Sequence, residues 1–324
     1  MIFATIQSST PDGEVVLVHP NRELAARFPE TNRKSLLQAL EDWDSFMSSA
    51  SSLYRFLIKD VYDNVIQLSE SKLLAPLPRT WALLDGSAFI QHVILVRKAR
   101  GAEPPEDLYT VPLMYQGASD NLFPPEAMIP LSDESYGMDF EAEFAIITDN
   151  VPLGTKAQEA GKHIKLVMLM NDVSLRNLIP RELATGFGFF HGKPQSSFSP
   201  LVLTLDELGG DWKDGRVQLG IRSTLNGKIM GEPLASEMHF SFYDLIEHAA
   251  KTRPLSAGTI IGSGTVSNKD ESKGVSCLAE IRMLETIKDG KPATPFMKWG
   301  DVIEIEAIKD NISLFGKINN KIAK

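Results

Sequence analysis

The sequence is short of several things that would each point to a class. It has one cysteine, Cys277, in 324 residues. That excludes an internal disulfide framework and any multi-cysteine zinc or iron–sulfur site. Flanked by Val275, Leu278 and Ala279, Cys277 reads as a small core residue. A reducing, cytoplasmic location suits such a chain. No apolar stretch approaches the length of a membrane span. The first residues, Met1 to Ile6, carry no basic segment followed by a long apolar run, so no signal peptide is expected. Positive charge is the minority sign: 33 Lys and Arg against 42 Asp and Glu give a net charge of −9. That balance argues against nucleic acid as a partner and against attachment to anionic lipid. Internal repeats and low-complexity tracts are absent.

What remains is the composition of an ordinary soluble protein, 43% hydrophobic and 23% charged. The length fits one large domain or two smaller ones. Short strands are expected at 3–7 and 14–19 around the turn Pro11-Asp12-Gly13. Leu36, Leu37, Leu40, Trp43 and Phe46 recur at helical steps and predict a helix over about 32–47. The polar run at 48–52 predicts a break, with a second helix over 53–63. Two prolines in Leu74–Arg79 mark a linker, which divides the chain into a small N-terminal domain (1–75) and a larger one (76–324). The segment from Asp85 to His92 leads into a helix ending near Gly101, before Pro104-Pro105. Strands are expected at 126–131, 139–148, 164–172, 199–205, 216–223, 257–264, 276–284 and 301–307. One further helix is expected over 240–252. The class is α+β, with a mostly antiparallel sheet structure in the larger domain.

The stretch Met138-Asp139-Phe140-Glu141-Ala142-Glu143-Phe144-Ala145-Ile146-Ile147 is the most informative. On a strand, Glu141 and Glu143 share a face. Two carboxylates close together in an otherwise apolar segment repel each other and lose their water. A hard divalent cation between them removes both costs. Asp172 follows the apolar run at 164–171 and sits where a strand meets a loop, a common place for a ligand. Arg176 offers a bidentate fork to a carboxylate substrate. Lys193, between Gly192 and Pro194, is placed to stabilise an oxyanion or enolate. The loop Gly262-Ser263-Gly264-Thr265-Val266-Ser267 lacks the Lys and spacing of a phosphate loop. It reads as backbone amides and a hydroxyl approaching a small anion, with Gly264 and Thr265 as contacts. Met168 and Met170 read as core.

Taken in order, Asp139-Phe140-Glu141-Ala142-Glu143, Asn171-Asp172-Val173-Ser174-Leu175-Arg176, Gly192-Lys193 and Ser263-Gly264-Thr265-Val266-Ser267 resemble the fumarylacetoacetate hydrolase family over roughly residues 80–310. The resemblance implies a small N-terminal domain followed by a mixed β-roll domain. It implies one divalent cation, Mg2+ or Ca2+ with Mn2+ as a further candidate, and a homodimer. Asp85-Gly86-Ser87-Ala88-Phe89-Ile90-Gln91-His92 is similar to the family segment that carries a metal ligand and, seven residues on, a general base. The resemblance thus implies Asp85, Glu141, Glu143 and Asp172 as ligands. It implies His92 with Glu280 as the base pair, Lys193 as electrostatic stabiliser and Tyr115 lining the substrate site. His191, beside Lys193, is the rival base. The implied activity is hydrolysis of a carbon–carbon bond in a 1,3-dicarbonyl acid such as fumarylacetoacetate, in the catabolism of tyrosine and other aromatic compounds. Acylpyruvase, fumarylpyruvate hydrolase, decarboxylase, isomerase and hydratase activities are the alternatives. The chain departs from the pattern at Ser87, where hydrolases carry an aromatic hydroxyl. It departs again at Arg97 and Arg100, which are offset from the family arginine, and at Ile179, near which a glutamine is expected.

Overall fold

The computed structural model describes residues 1–59, 61–99, 103 and 106–324. Arg100, Pro104-Pro105 and the expected helix end at Gly101 lie outside the described residues.

An eleven-stranded sheet runs through the described chain. Its strands, in chain order, are β1 (Ile2–Ile6), β2 (Glu14–Val18), β3 (Leu24–Arg27), β4 (Val65–Gln67), β5 (Leu83–Gly86) and β6 (Met114–Gly117), then β7 (Ala142–Thr148), β8 (Ile164–Asn171), β9 (Ser197–Phe198), β10 (Leu201–Leu203) and β11 (Ile260–Gly262). Across the sheet the order is β4-β3-β2-β1-β10-β8-β7-β11-β5-β6, with β9 paired to β8. Neighbours run antiparallel except β11 and β5, which are parallel. The N-terminal strands therefore continue the sheet of the larger domain, through Ile2 opposite Leu203 and Ala4 opposite Leu201.

Strands β7 and β8 are covered on both faces, so their sequences read as nearly unbroken apolar runs. One face carries Ala142, Phe144, Ile146, Val167 and Leu169 into a core that includes Ile305 and Phe315. The other carries Ala145, Ile147, Leu166, Met168 and Met170 against Phe3, Leu17 and Phe46. Helices α1 (Leu36–Glu41) and α2 (Trp43–Leu57) cover that second face. Met168 and Met170 are thus core residues, as their spacing predicts. A second, five-stranded sheet joins Lys228–Gly231, Arg222–Leu225, Val302–Glu306, Ile318–Ala323 and Met128–Pro130, with the last two parallel.

Four expectations need correction. The strand predicted over 216–223 is two short strands in different sheets, Arg216–Val217 and Arg222–Leu225. The helix predicted to stop at 48–52 breaks earlier, at Asp42, and α2 runs straight through the serines. Phe46, Ala50, Leu53 and Leu57 keep a buried stripe in register. On the exposed face, Ser52 donates its hydroxyl to the Ser48 carbonyl at 3.1 Å. The strand predicted over 139–148 is two elements. Met138–Asp139 pairs with Ser174–Leu175, and β7 starts only at Ala142. Phe140 and Glu141 form the step between two sheets. The strand predicted over 276–284 is a helix, α6 (Leu278–Asp289). Its first turn is satisfied by a carboxylate from far along the chain, Asp139, which accepts from the Leu278 and Ala279 amides at 2.8 and 2.9 Å. That cap has no local sequence signature. Two further helices are α3 (Ile90–Ala99) and α4 (Ile179–Thr185), and the helix expected over 240–252 is α5 (Phe242–Ala249).

Phe46 sits in the N-terminal core with its ring 5.2 Å from both Phe3 and Phe28. Truncating it to alanine is expected to cost about 3–5 kcal/mol of unfolding free energy. Phe56→Ala, at a side chain on the same helix that is 54% exposed, is expected to cost under about 0.5 kcal/mol. Denaturant unfolding of the two variants checks this. Equal losses would show that the aromatic cluster does not anchor the N-terminal domain.

Candidate active site

The sheet order sets the site. Strands β8, β7, β11, β5 and β6 are successive neighbours. Their register puts Met170 opposite Glu143, Gly262 opposite both Ala145 and Asp85, and Asp85 opposite Tyr115. Asp172 lies just past the end of β8. Functional side chains scattered over nearly a hundred residues thereby line up across one end of the sheet.

Asp85, Glu143 and Asp172 each offer an oxygen within 4.8 Å of the others. All three are buried. Burial, and then the neighbouring charge of Asp172, push the Asp85 carboxyl well above its usual range. Glu143 is pushed well up by burial and by Asp85 and Asp172. Asp172 is also raised, mainly by burial, although Lys193 opposes the shift. The Gly264 amide donates to Asp85 Oδ1 at 3.2 Å and to Glu143 Oε2 at 3.0 Å. Glu143 Oε1 is buried with no hydrogen-bond partner. Three oxygen donors, mutual repulsion and one orphaned oxygen fit a hard divalent cation.

Glu141 stands beside this group. Its Oε2 accepts from Lys193 Nζ at 2.6 Å, and Lys193 also donates to Asp172 Oδ2. Its Oε1 accepts from Arg176 Nη2 at 2.5 Å. Burial works to raise Glu141, but the charges of Arg176 and Lys193 outweigh it and hold the carboxyl well below its usual range. Burial likewise works against charge on Lys193, and Asp172 and Glu141 reverse that, so its ammonium stays charged. Tyr115 donates its hydroxyl to Asp172 Oδ2 at 2.8 Å, and its ring lies 5.3 Å beneath the Lys193 ammonium. Arg176 also donates through Nε to Asp139 Oδ2 at 2.9 Å. The fork expected to face a substrate is therefore turned largely inward, onto two carboxylates. Gly264 lines the cavity too, and its amide serves Asp85 and Glu143.

These groups open on a cavity of about 740 Å3. Helix α3 faces it with His92, Val93, Val96 and Arg97, and α6 with Ala279, Arg282, Met283 and Thr286. Both sets step by three and four residues, the spacing of one helical face. His92 Nδ1 lies 2.9 Å from Glu280 Oε1, between those two helices. Thr265, Tyr115, Lys193, Arg176 and Glu141 also line the cavity. The structure therefore gathers the expected residues around one space, and places Ser87, Arg97 and Ile179 on its wall. His191 is not among the lining residues, and its side chain is 76% exposed.

Arg282 and Phe189 are lining residues that the sequence reading missed. The Arg282 guanidinium rests 4.1 Å from the centre of the Phe296 ring and donates to the Thr294 carbonyl. The 279/282/283/286 spacing carried the signal, but a strand was expected there. Phe189 meets the Tyr115 ring edge-on with centres 5.1 Å apart.

Gly264 has φ of +80°, and an added Cβ would lie 2.4 Å from the Gly86 carbonyl oxygen. Gly264→Ala is therefore expected to displace the amide that holds Asp85 and Glu143, and to weaken divalent-ion binding roughly tenfold or more. Gly227→Ala shares a positive φ of +77° but meets nothing within 4 Å. It should lose stability and keep its ion affinity. Titration calorimetry with Mg2+ or Mn2+ reads both, and an unchanged affinity in Gly264→Ala would refute the clamp.

Residues 82–323 match the family profile described as Fumarylacetoacetate (FAA) hydrolase C-terminal, and residues 1–79 match Fumarylacetoacetase N-terminal domain 2. The oxaloacetate tautomerase YisK of Bacillus subtilis is 27% identical over 301 residues, covering 90% of this chain and 88% of its own. Among solved structures, the fumarylacetoacetate hydrolase of Exiguobacterium antarcticum superposes with a TM-score of 0.68 at 17% identity, over 100% of this chain and 99% of the other. The maleylpyruvate hydrolase of Sphingobium sp. SYK-6, solved in complex with manganese(II) and pyruvate, superposes with a TM-score of 0.67 at 13% identity, over 100% and 99%. Both structural likenesses concern the fold. The profile match spans well over half of the chain, and the protein belongs to the fumarylacetoacetate hydrolase family.

Proposed function

We propose that the protein is a divalent-cation-dependent enzyme that moves a proton at the enolisable carbon of a 2-oxo dicarboxylic acid, with keto–enol tautomerisation of oxaloacetate as the leading reading. His92, hydrogen-bonded to Glu280 and set on the wall of a cavity that meets the buried acidic triad at Asp85, carries this reading. Asp85, Glu143 and Asp172 would hold the cation, with Glu141 at its margin, and Mg2+, Ca2+ and Mn2+ are the candidates. When bound, such an ion polarises a substrate carbonyl and favours its enolate.

The remaining steps belong to the chain itself. Glu280 accepts from His92 Nδ1, which leaves the lone pair on Nε2 to act as base. In the keto-to-enol direction His92 takes a proton from the substrate carbon, and the enolate oxygen takes one up from the imidazolium or from water. In the reverse direction the enol oxygen gives up its proton and the imidazolium returns one to the carbon. Lys193 spends two of its three donors on Glu141 and Asp172, so one is left for the enolate oxygen. Arg97 and Arg282 line the cavity from opposite helices and suit the second carboxylate of a dianionic substrate. Tyr115, Thr265, Phe189 and Phe296 shape its walls. Tautomerase naming of a relative that aligns over 90% of the chain supports this reading.

A second reading is hydrolysis of a carbon–carbon bond in a 1,3-dicarbonyl acid such as fumarylacetoacetate. It is favoured by Asp85 and His92 at seven-residue spacing together with Glu280, the hydrolase arrangement. The same base would then act on water. In either reading we take the active form to be a cytoplasmic homodimer with its domains divided near residues 75–79.

Two variants test the proposal. His92→Ala is expected to lower kcat on the order of 100-fold or more while ion binding persists. Glu143→Gln is expected to weaken ion binding roughly tenfold or more. Turnover should be followed with the enol of oxaloacetate, and separately with fumarylacetoacetate and acylpyruvates, by ultraviolet absorbance. Decay of the oxaloacetate enol without new carboxylate products supports tautomerisation, and release of two acids from the diketo substrates supports hydrolysis. Full activity in His92→Ala would remove both readings.

A further inference from the structure

Neither reading gives Asp139 a role, yet it is among the most committed groups in the molecule. Its side chain is fully buried. Oδ1 accepts from the Leu278 amide at 2.8 Å. Oδ2 accepts from the Ala279 amide at 2.9 Å and from Arg176 Nε at 2.9 Å. The two amides open α6, the helix whose next residue is Glu280. Arg176 reaches on to Glu141 through Nη2. Asp139 itself lies two residues before Glu141, on the short strand paired with Ser174–Leu175, which leads into Arg176.

One carboxylate thus joins two chains of contacts. In one direction it runs through Arg176 to Glu141, then through Lys193 to Asp172 in the acidic triad. In the other it runs through the first turn of α6 to Glu280 and from there to His92. We infer that Asp139 is a positioning residue that fixes the His92–Glu280 base pair relative to the acidic triad. Its backbone accompanies Glu141, and its side chain holds the start of the helix bearing Glu280. The helix end it receives carries partial positive charge, and the guanidinium carries a full one, so an anionic acceptor suits both. An asparagine has the same size but only one acceptor oxygen. Its amide nitrogen would replace an accepting oxygen and point a donor at a group that itself donates.

The inference rests on the base-pair reading, and the experiment separates the two. Asp139→Asn is made alone and in the Glu280→Gln background, and kcat, KM and Mn2+ affinity are measured with the oxaloacetate enol or whichever substrate the parent turns over. The single variant should lose roughly 10- to 100-fold in kcat, the range typical when the partner that orients a functional side chain is removed. KM and Mn2+ affinity should stay within about threefold. In the Glu280→Gln background the same substitution should change kcat by less than about threefold, because the pair it positions is already broken. A helix cap with no positioning role would lower the melting temperature and leave kcat per folded molecule unchanged, and that result overturns the inference. An equal kcat loss in both backgrounds overturns it as well. If Glu280→Gln and His92→Ala are themselves fully active, the base-pair reading fails first. Should Asp139→Asn fail to fold, Asp139→Ser keeps one acceptor for the helix amides and gives up the charge facing Arg176, and it is read by the same comparison.

Discussion

Three carboxylates that cannot comfortably share one buried space set the terms for everything around them. Asp85, Glu143 and Asp172 repel each other, and burial sharpens the repulsion because no water screens it. The fold answers with donors. Gly264 clamps two of the carboxylates, Tyr115 and Lys193 hold the third, and Ser196 adds a hydroxyl to Asp172 at 3.1 Å. One oxygen, Glu143 Oε1, is left with nothing. A cluster so nearly satisfied and yet lacking one partner is a liability for stability alone. It becomes intelligible as a seat for a divalent cation, and the base pair across the cavity then has a polarised substrate to work on.

Much of this was legible in the sequence, for a physical reason. Carboxylates inside apolar runs violate the ordinary pattern, so Glu143 and Asp172 announce themselves. Their strands are buried on both faces, and the apolar residues on either side make the exceptions stand out. Lys193 showed through its setting between Gly192 and Pro194, whereas Asp85 was legible only through the resemblance to a family, since nothing local distinguishes it. Arg176 and Gly264 line the cavity, but their bonds to carboxylates of the same chain were not legible. A sequence shows that an arginine can grip a carboxylate, but it does not show that two carboxylates of the same chain come first. Helix α6 was misread because its cap comes from Asp139, and the serines of α2 were misread because a buried stripe outweighs the local preference of serine for a break. Both are cases of tertiary contacts deciding what propensity leaves open.

The break at Phe140–Glu141 deserves the same physical reading. A continuous strand would have put Glu141 and Glu143 on one face as equivalent groups. The step between sheets makes them unequal. Glu143 is raised by its neighbours and left with an orphaned oxygen, while Glu141 is gripped by two cations and held low. Two glutamates of the same type, two residues apart, thus have opposite electrostatic characters. The backbone made that distinction, through the pairing of Asp139 with Ser174.

The pairing of β1 with β10 also bears on how the chain is made. Strand β1 finds its outer neighbour, β2, within a few residues, but its inner neighbour is Leu201–Leu203, far along the chain. Until the chain has been synthesised as far as Leu203, strand β1 carries an open edge, the kind of edge that pairs with other chains when left waiting. Folding is therefore weighted toward late, long-range closure, which is slow by the loop entropy it must overcome. The sheet that lines up the site is completed only once β11, at Ile260–Gly262, has been made.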